Sequence, residues 1–144
     1  MLTGNLGLAI AAIFAGAAFY VSFAEQPARL ELDDRALLAE WKPAYKRGFA
    51  MQAPLAIIGF LLGFVAWWLS GKIAFLTGAV LLAANWPWTM LAIMPTNRAL
   101  MATALDAAGP HSRLLILKWS RLHAVRSMLG GLAVVAFLIG LGTS

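Results

Sequence analysis

Four stretches of this 144-residue chain contain no charged side chain: 1–24, 48–71, 73–97 and 127–144. Each is long enough, or nearly so, for a helix of roughly 20 residues to cross a hydrocarbon core of about 30 Å. The basic residues between them are lopsided. Arg29, Arg35, Lys42, Lys46 and Arg47 lie between the first two stretches, and Arg98, Arg113, Lys118, Arg121 and Arg126 between the last two, whereas the middle connection holds only Lys72. With four spans, the two basic connections share one face, and the positive-inside rule makes that face cytoplasmic. The pattern predicts an all-α integral membrane four-helix bundle in the cytoplasmic (inner) membrane, with both termini extracytoplasmic. One membrane domain, 1–144, is expected, with spans at about 4–24, 50–70, 73–94 and 121–142.

Composition argues the same way. A hydrophobic fraction of 62% against 12% charged residues is wrong for a soluble domain of this length. The formal charge of +5 does not point to nucleic acid, because the cations flank spans rather than forming a stripe, and there they set topology and meet the headgroups of the lipid bilayer. The absence of cysteine removes disulfides and thiolate chemistry together. No Lys or Arg precedes the first apolar run, so it reads as a retained span rather than a signal peptide.

Punctuation within the connections predicts short interfacial helices in both. Pro27 is expected to end the first span, and Asp33-Asp34 to cap a short helix carrying Leu37, Leu38 and Trp41, closed by Lys42-Pro43. Ser70-Gly71-Lys72 fits only a tight turn. Pro95 is expected to close the third span, with a separate helix over Arg98–Ala107 and a break at Gly109-Pro110. From Ser112 to Gly142 the pattern is continuous. Gly59 with Gly63, and Ala12 with Gly16, have the small-xxx-small spacing of close helix packing. A faint internal repeat runs through the chain: Pro27 follows span one as Pro95 follows span three, and Trp41 precedes Tyr45 by the interval at which Trp119 precedes His123. The plainer reading, and the favoured one, is that every helical hairpin in a membrane needs a proline, an arginine and an interfacial tryptophan. A true repeat would set Tyr45 and His123 facing each other across the bundle.

Counting depth along each span gathers the polar residues on one side of the membrane. Asn85 lies about 13 Å along the helix from Met94 at 1.5 Å per residue, with Thr89 one turn nearer the basic face. Glu25, Tyr45 and Gln52 sit at the corresponding ends of the first two spans, and Trp119, His123 and Arg126 share one stripe of the fourth. Together they predict a pocket opening to the cytoplasmic side. Against this stand plainer readings: Arg126 snorkelling to headgroups, Glu25 paired with Arg29 at i, i+4, Thr89 bonded to its own backbone, and the tryptophans as interfacial belt. Asn85 resists such a reading, since an amide that deep needs partners, and a bond across the bundle to Glu25 or Arg126 is expected. Zinc or non-haem iron wants three protein ligands, whereas only His111 and His123 exist, and a haem would lack a second intramembrane histidine. No metal site and no cofactor is therefore predicted, with haem and metal left open. A phosphate loop and a nucleophile elbow are both missing.

At Glu25-Gln26-Pro27-Ala28-Arg29, Asn85-Trp86-Pro87-Trp88-Thr89, Met94-Pro95-Thr96-Asn97-Arg98 and Trp119-Ser120-Arg121-Leu122-His123-Ala124-Val125-Arg126, the sequence resembles the anthrone oxygenase-like family of small four-helix membrane proteins. The resemblance spans nearly the whole chain. It implies an oxidoreductase that converts an anthrone to an anthraquinone with dioxygen and without an evident metal or flavin. The family pattern falls on Glu25, Arg29, Asn85, Asn97, Trp119, His123 and Arg126, overlapping the cluster found from depth. On that reading His123 is the base, with Arg126 and Asn85 beside it as catalytic groups stabilising an enolate. Glu25, Arg29, Tyr45, Gln52, Trp86, Thr89, Asn97 and Trp119 would bind a hydrophobic aromatic small molecule. The alternative is a non-catalytic membrane protein that binds a quinone or lipid as a sensor or assembly factor; a homo-oligomer suits either.

Overall fold

In a computed structural model that describes residues 1–142, the chain forms four long helices: α1 (Leu2–Leu30), α2 (Asp34–Ser70), α3 (Ile73–Ala102) and α4 (Pro110–Gly142). All four are long and apolar enough to cross a membrane, so this is a multi-pass membrane protein. α1 and α3 each pack against both α2 and α4, so they occupy opposite corners of an up-down-up-down square. Outward faces carry lipid-type side chains such as Phe19, Phe23, Trp68 and Leu91.

Two apolar clusters divide the bundle. One, around Phe14, Phe75, Leu82 and Phe137, fills the half that holds the Gly71 turn; the other, around Leu37, Leu38, Trp41, Ile116 and Trp119, fills the half with the longer connections. Glycines let the first cluster close. A Cβ on Gly63 would come within 2.8 Å of the Phe137 ring and 2.9 Å of Ala79, so only a hydrogen fits there. Gly16 faces open space and Ala12 is exposed, so that expected seam is not one; small residues at i, i+4 pack only when their stripe points inward. The tight turn is as read: Gly71 takes φ +70° and its N–H bonds Trp67 O at 2.7 Å.

The prolines do not end the helices. Helix α1 continues past Pro27 to Leu30, α3 past Pro95 to Ala102, and the stretch expected as a separate interfacial helix is the first part of α2, which carries Pro43 and Pro54 in its interior. Asp33 does cap that helix, accepting from Ala36 N–H at 2.8 Å. Beyond α3 the connection holds one short 3₁₀ turn, Leu105–Ala107, in place of the helix expected over Arg98–Ala107. Unbonded backbone is costly in a bilayer, so a helix there accommodates proline locally instead of unravelling.

In α1 and α3 the accommodation is the same. Each widens into a π turn, Val21–Glu25 and Thr89–Ile93, closed by Gln26 N–H to Val21 O and by Met94 N–H to Thr89 O, one residue before the proline. The extra residue advances the inward face by one position. In α1 the buried series Gly4, Gly7, Ala11, Phe14, Ala18 resumes at Gln26 and Arg29, not at Glu25 and Ala28. In α3 the series through Leu82, Asn85 and Thr89 resumes at Ile93, Asn97 and Leu100. The two π turns thus bring Arg29 and Asn97 into the bundle.

Candidate active site

Between the two apolar clusters lies a cavity with about 420 Å³ of atom-free space, counting the part open to the outside. α1 contributes Val21, Glu25 and Arg29; α2 contributes Tyr45, Phe49 and Gln52; α3 contributes Ile93 and Asn97; α4 contributes Trp119, His123 and Arg126. A second cavity of about 220 Å³ adjoins it, walled by Ala53, Ala56, Asn85, Trp86 and Thr89, and shares Phe49 and Arg126 with the first. All eleven residues picked from the sequence therefore line one or other of two chambers that meet at Arg126.

The aromatic wall holds two similar stacks, one on α2 and one on α4. Tyr45 stacks on Trp41 within α2 at 5.0 Å, His123 stacks on Trp119 within α4 at 4.8 Å, and the two tryptophans meet edge to face at 5.8 Å. Tyr45 and His123 both line the larger cavity, one from each diagonal helix.

The two buried arginines differ. Arg29 is ion-paired to Glu25 one turn back on its own helix, and its Nε lies 2.9 Å from Glu40 Oε2, a contact of charge rather than a directed hydrogen bond. Arg126 makes no hydrogen bond or ion pair with any described residue; its guanidinium lies 5.6 Å from the centre of the Phe14 ring, and the residue is 8% exposed. It points into the cavities, not out to headgroups. A buried cation with no counter-charge is expensive in an apolar bundle.

His123 is held from one side only. Its Nδ1 lies 3.2 Å from Ser22 Oγ, which lies 3.2 Å from Ser127 Oγ, while Nε2 has no bonding partner among the described residues. With Nδ1 protonated and donating to Ser22, the Nε2 lone pair is free on the cavity side. Neither serine stood out in the sequence: a hydroxyl in an apolar span usually bonds its own backbone, and only the fold brings Ser22 and Ser127 to the histidine.

Asn85 departs from expectation. It makes no bond across the bundle; its Nδ2 donates to Leu81 O and Leu82 O of its own helix, both at 3.2 Å. Its Oδ1 is buried without a donor. The Gln52 Oε1 and both amide atoms of Asn97 are likewise buried and unpartnered. Trp86 combines wall and anchor, donating its indole N–H to Ala53 O at 3.3 Å while its ring meets Phe49. Thr89 is buried and, contrary to the plainer reading, does not bond its own backbone.

A sequence profile for the anthrone oxygenase family matches residues 41–136. This chain belongs to the anthrone oxygenase family. The match takes in every site residue on α2, α3 and α4 and leaves out those on α1. An anthrone oxygenase of Claviceps purpurea (strain 20.1) is 31% identical over 139 aligned residues, covering 86% of this chain and 79% of that protein. No solved structure matches. Family membership carries an oxygenase-like function.

Proposed function

We propose that the protein oxidises an anthrone-like or other flat aromatic or quinol substrate with dioxygen, without a cofactor. The observation that carries the reading is the unpaired guanidinium of Arg126 beside the free Nε2 of His123 on one wall of an aromatic cavity. An anthrone carries a CH2 flanked by two aromatic rings and conjugated to a carbonyl. His123 Nε2 takes one proton from it, and the negative charge that develops on the carbonyl oxygen is the counter-charge Arg126 lacks. The Trp119 and Tyr45 faces hold the flat rings. The electron-rich enolate then reduces dioxygen. A C–O bond forms at the former CH2 carbon, and the resulting peroxide takes up the proton from His123. Loss of water from that hydroperoxide gives the quinone, so one oxygen atom ends in product and one in water. The bias of basic residues to two connections supports a cavity mouth on the cytoplasmic side of the inner membrane.

The test is turnover of an anthrone by purified protein under ¹⁸O₂, against a boiled control, with metal analysis and an absorbance spectrum of the same sample. One ¹⁸O per quinone, abolished by His123→Ala in a folded protein, is expected. Unchanged oxidation by His123→Ala would remove the base assignment. A Soret band or stoichiometric metal would end the cofactor-free reading, and ligand binding without turnover would favour the sensor class.

A further inference from the structure

The smaller cavity calls for a different group from the larger one. Asn85 spends both amide hydrogens on its own helix, and this fixes which end of the carboxamide is which: reversed, its oxygen would face the carbonyl oxygens of Leu81 and Leu82. What Asn85 leaves over is an acceptor, the buried and unpartnered Oδ1. On the same cavity stands Arg126, whose buried Nε is a donor without an acceptor. An enolate oxygen satisfies the arginine but has no hydrogen for the amide, and dioxygen has none either. A hydroperoxyl group has both, a terminal O–H to give and lone pairs to receive.

We propose that this chamber is the peroxide subsite of the reaction, with Asn85 Oδ1 accepting from the terminal O–H and Arg126 donating to the peroxide oxygens. The inference rests on the oxygenase reading above. It assigns Asn85 to the second half of the reaction and removes it as an enolate donor. In that half, the substrate carbon carries one hydrogen and one –OOH. A base takes the hydrogen as a proton, the C–H electron pair becomes the second bond of the new carbonyl, and the O–O bond breaks. The terminal oxygen leaves with its hydrogen as hydroxide, which the adjacent guanidinium stabilises, and one proton makes it water. Ala53 and Ala56 keep the chamber small enough for the –OOH group while the rings stay in the larger cavity.

The experiment separates the two halves. Without oxygen, proton removal is read as deuterium exchange at the substrate CH2; with oxygen, the quinone formed per dioxygen consumed is counted and hydroperoxide is measured by mass. Asn85→Leu keeps the bulk and removes the acceptor. We expect exchange to change less than twofold, while the quinone yield per dioxygen falls at least fivefold and hydroperoxide accumulates. Ala53→Val, which narrows the chamber without touching a polar atom, should uncouple in the same direction and decides the matter if Asn85→Leu does not fold. Full quinone yield in the folded variants overturns the subsite and leaves the parent reading intact. An unsubstituted protein that neither exchanges nor oxidises would sink the parent reading, and this inference with it.

Discussion

Replacing Arg126 by methionine should make the protein more stable and inactive. A guanidinium at the centre of a membrane helix costs about 2.5–3.5 kcal/mol to insert. Its one visible return is the ring contact with Phe14 at 5.6 Å, and a desolvated cation–π contact gives back about 0.5–2 kcal/mol. No carboxylate or carbonyl of the described residues adds to that. Methionine fills similar volume with no charge, so Arg126→Met should raise the unfolding free energy by about 0.5–3 kcal/mol, the difference between those two figures. The assay is unfolding in mixed micelles of dodecyl maltoside and SDS, followed by tryptophan fluorescence. A planar phenolate, as an enolate mimic, should stabilise the unsubstituted protein and leave the methionine variant unaffected. If Arg126→Met lowers stability by more than about 1 kcal/mol, the guanidinium has a protein partner after all, and the argument that its counter-charge is the substrate fails.

Arg29→Met should do the opposite: it strands Glu25 and Glu40, and because both are partly exposed the loss should be about 1–2 kcal/mol in the same micelle assay. Ser22→Ala releases the Nδ1 side of His123, so turnover should fall roughly tenfold with unfolding unchanged, and a rate equal to wild type would remove Ser22 from the machinery. Gly63→Ala drives a methyl into Phe137 and Ala79 and should cost about 1–3 kcal/mol, whereas Gly16→Ala should be neutral or mildly stabilising. A reporter active only in the cytoplasm, fused to the C-terminus, should stay silent; strong signal would invert the topology and the side on which the cavity opens.

The four spans were legible because bilayer thickness acts on length and charge, which a sequence displays directly. The residues that line the cavities were legible for a related reason: a polar side chain at depth is costly, so depth and polarity together pick out Asn85, His123 and Arg126. What misled was proline. Pro27, Pro43 and Pro95 were read with rules that hold in water, where a freed carbonyl finds a solvent partner at little cost. In the bundle the backbone widens or carries the proline instead. The structure records the result, since the buried series of α1 slips by one position between Ala18 and Gln26. The amide of Asn85 was misread because depth says that a partner is needed without saying which one. Here the partners are carbonyls three and four residues back along its own helix.

The halves of the repeat explain how a symmetric scaffold yields a one-sided site. The scaffold elements recur: a π turn before a proline in α1 and α3, and a stacked tryptophan pair in α2 and α4. The chemical groups do not. Where the first half places Glu25 at the end of its widened turn and Arg29 one turn on, the second places Ile93 and Asn97; where α4 carries His123 and Arg126, α2 carries Tyr45 and Gly48. The first half thus supplies a cation already matched to a carboxylate, which holds α1 in place and offers little unmet charge. The second supplies a cation and an imidazole without carboxylates, with Gly48 contributing no bulk opposite Arg126. On the proposed reading, a substrate entering between the halves meets paired charge on one side and unpaired charge on the other. On that same reading, the asymmetry of charge orients a flat molecule, turning its carbonyl toward Arg126 and the CH2 on the opposite edge of the central ring toward His123.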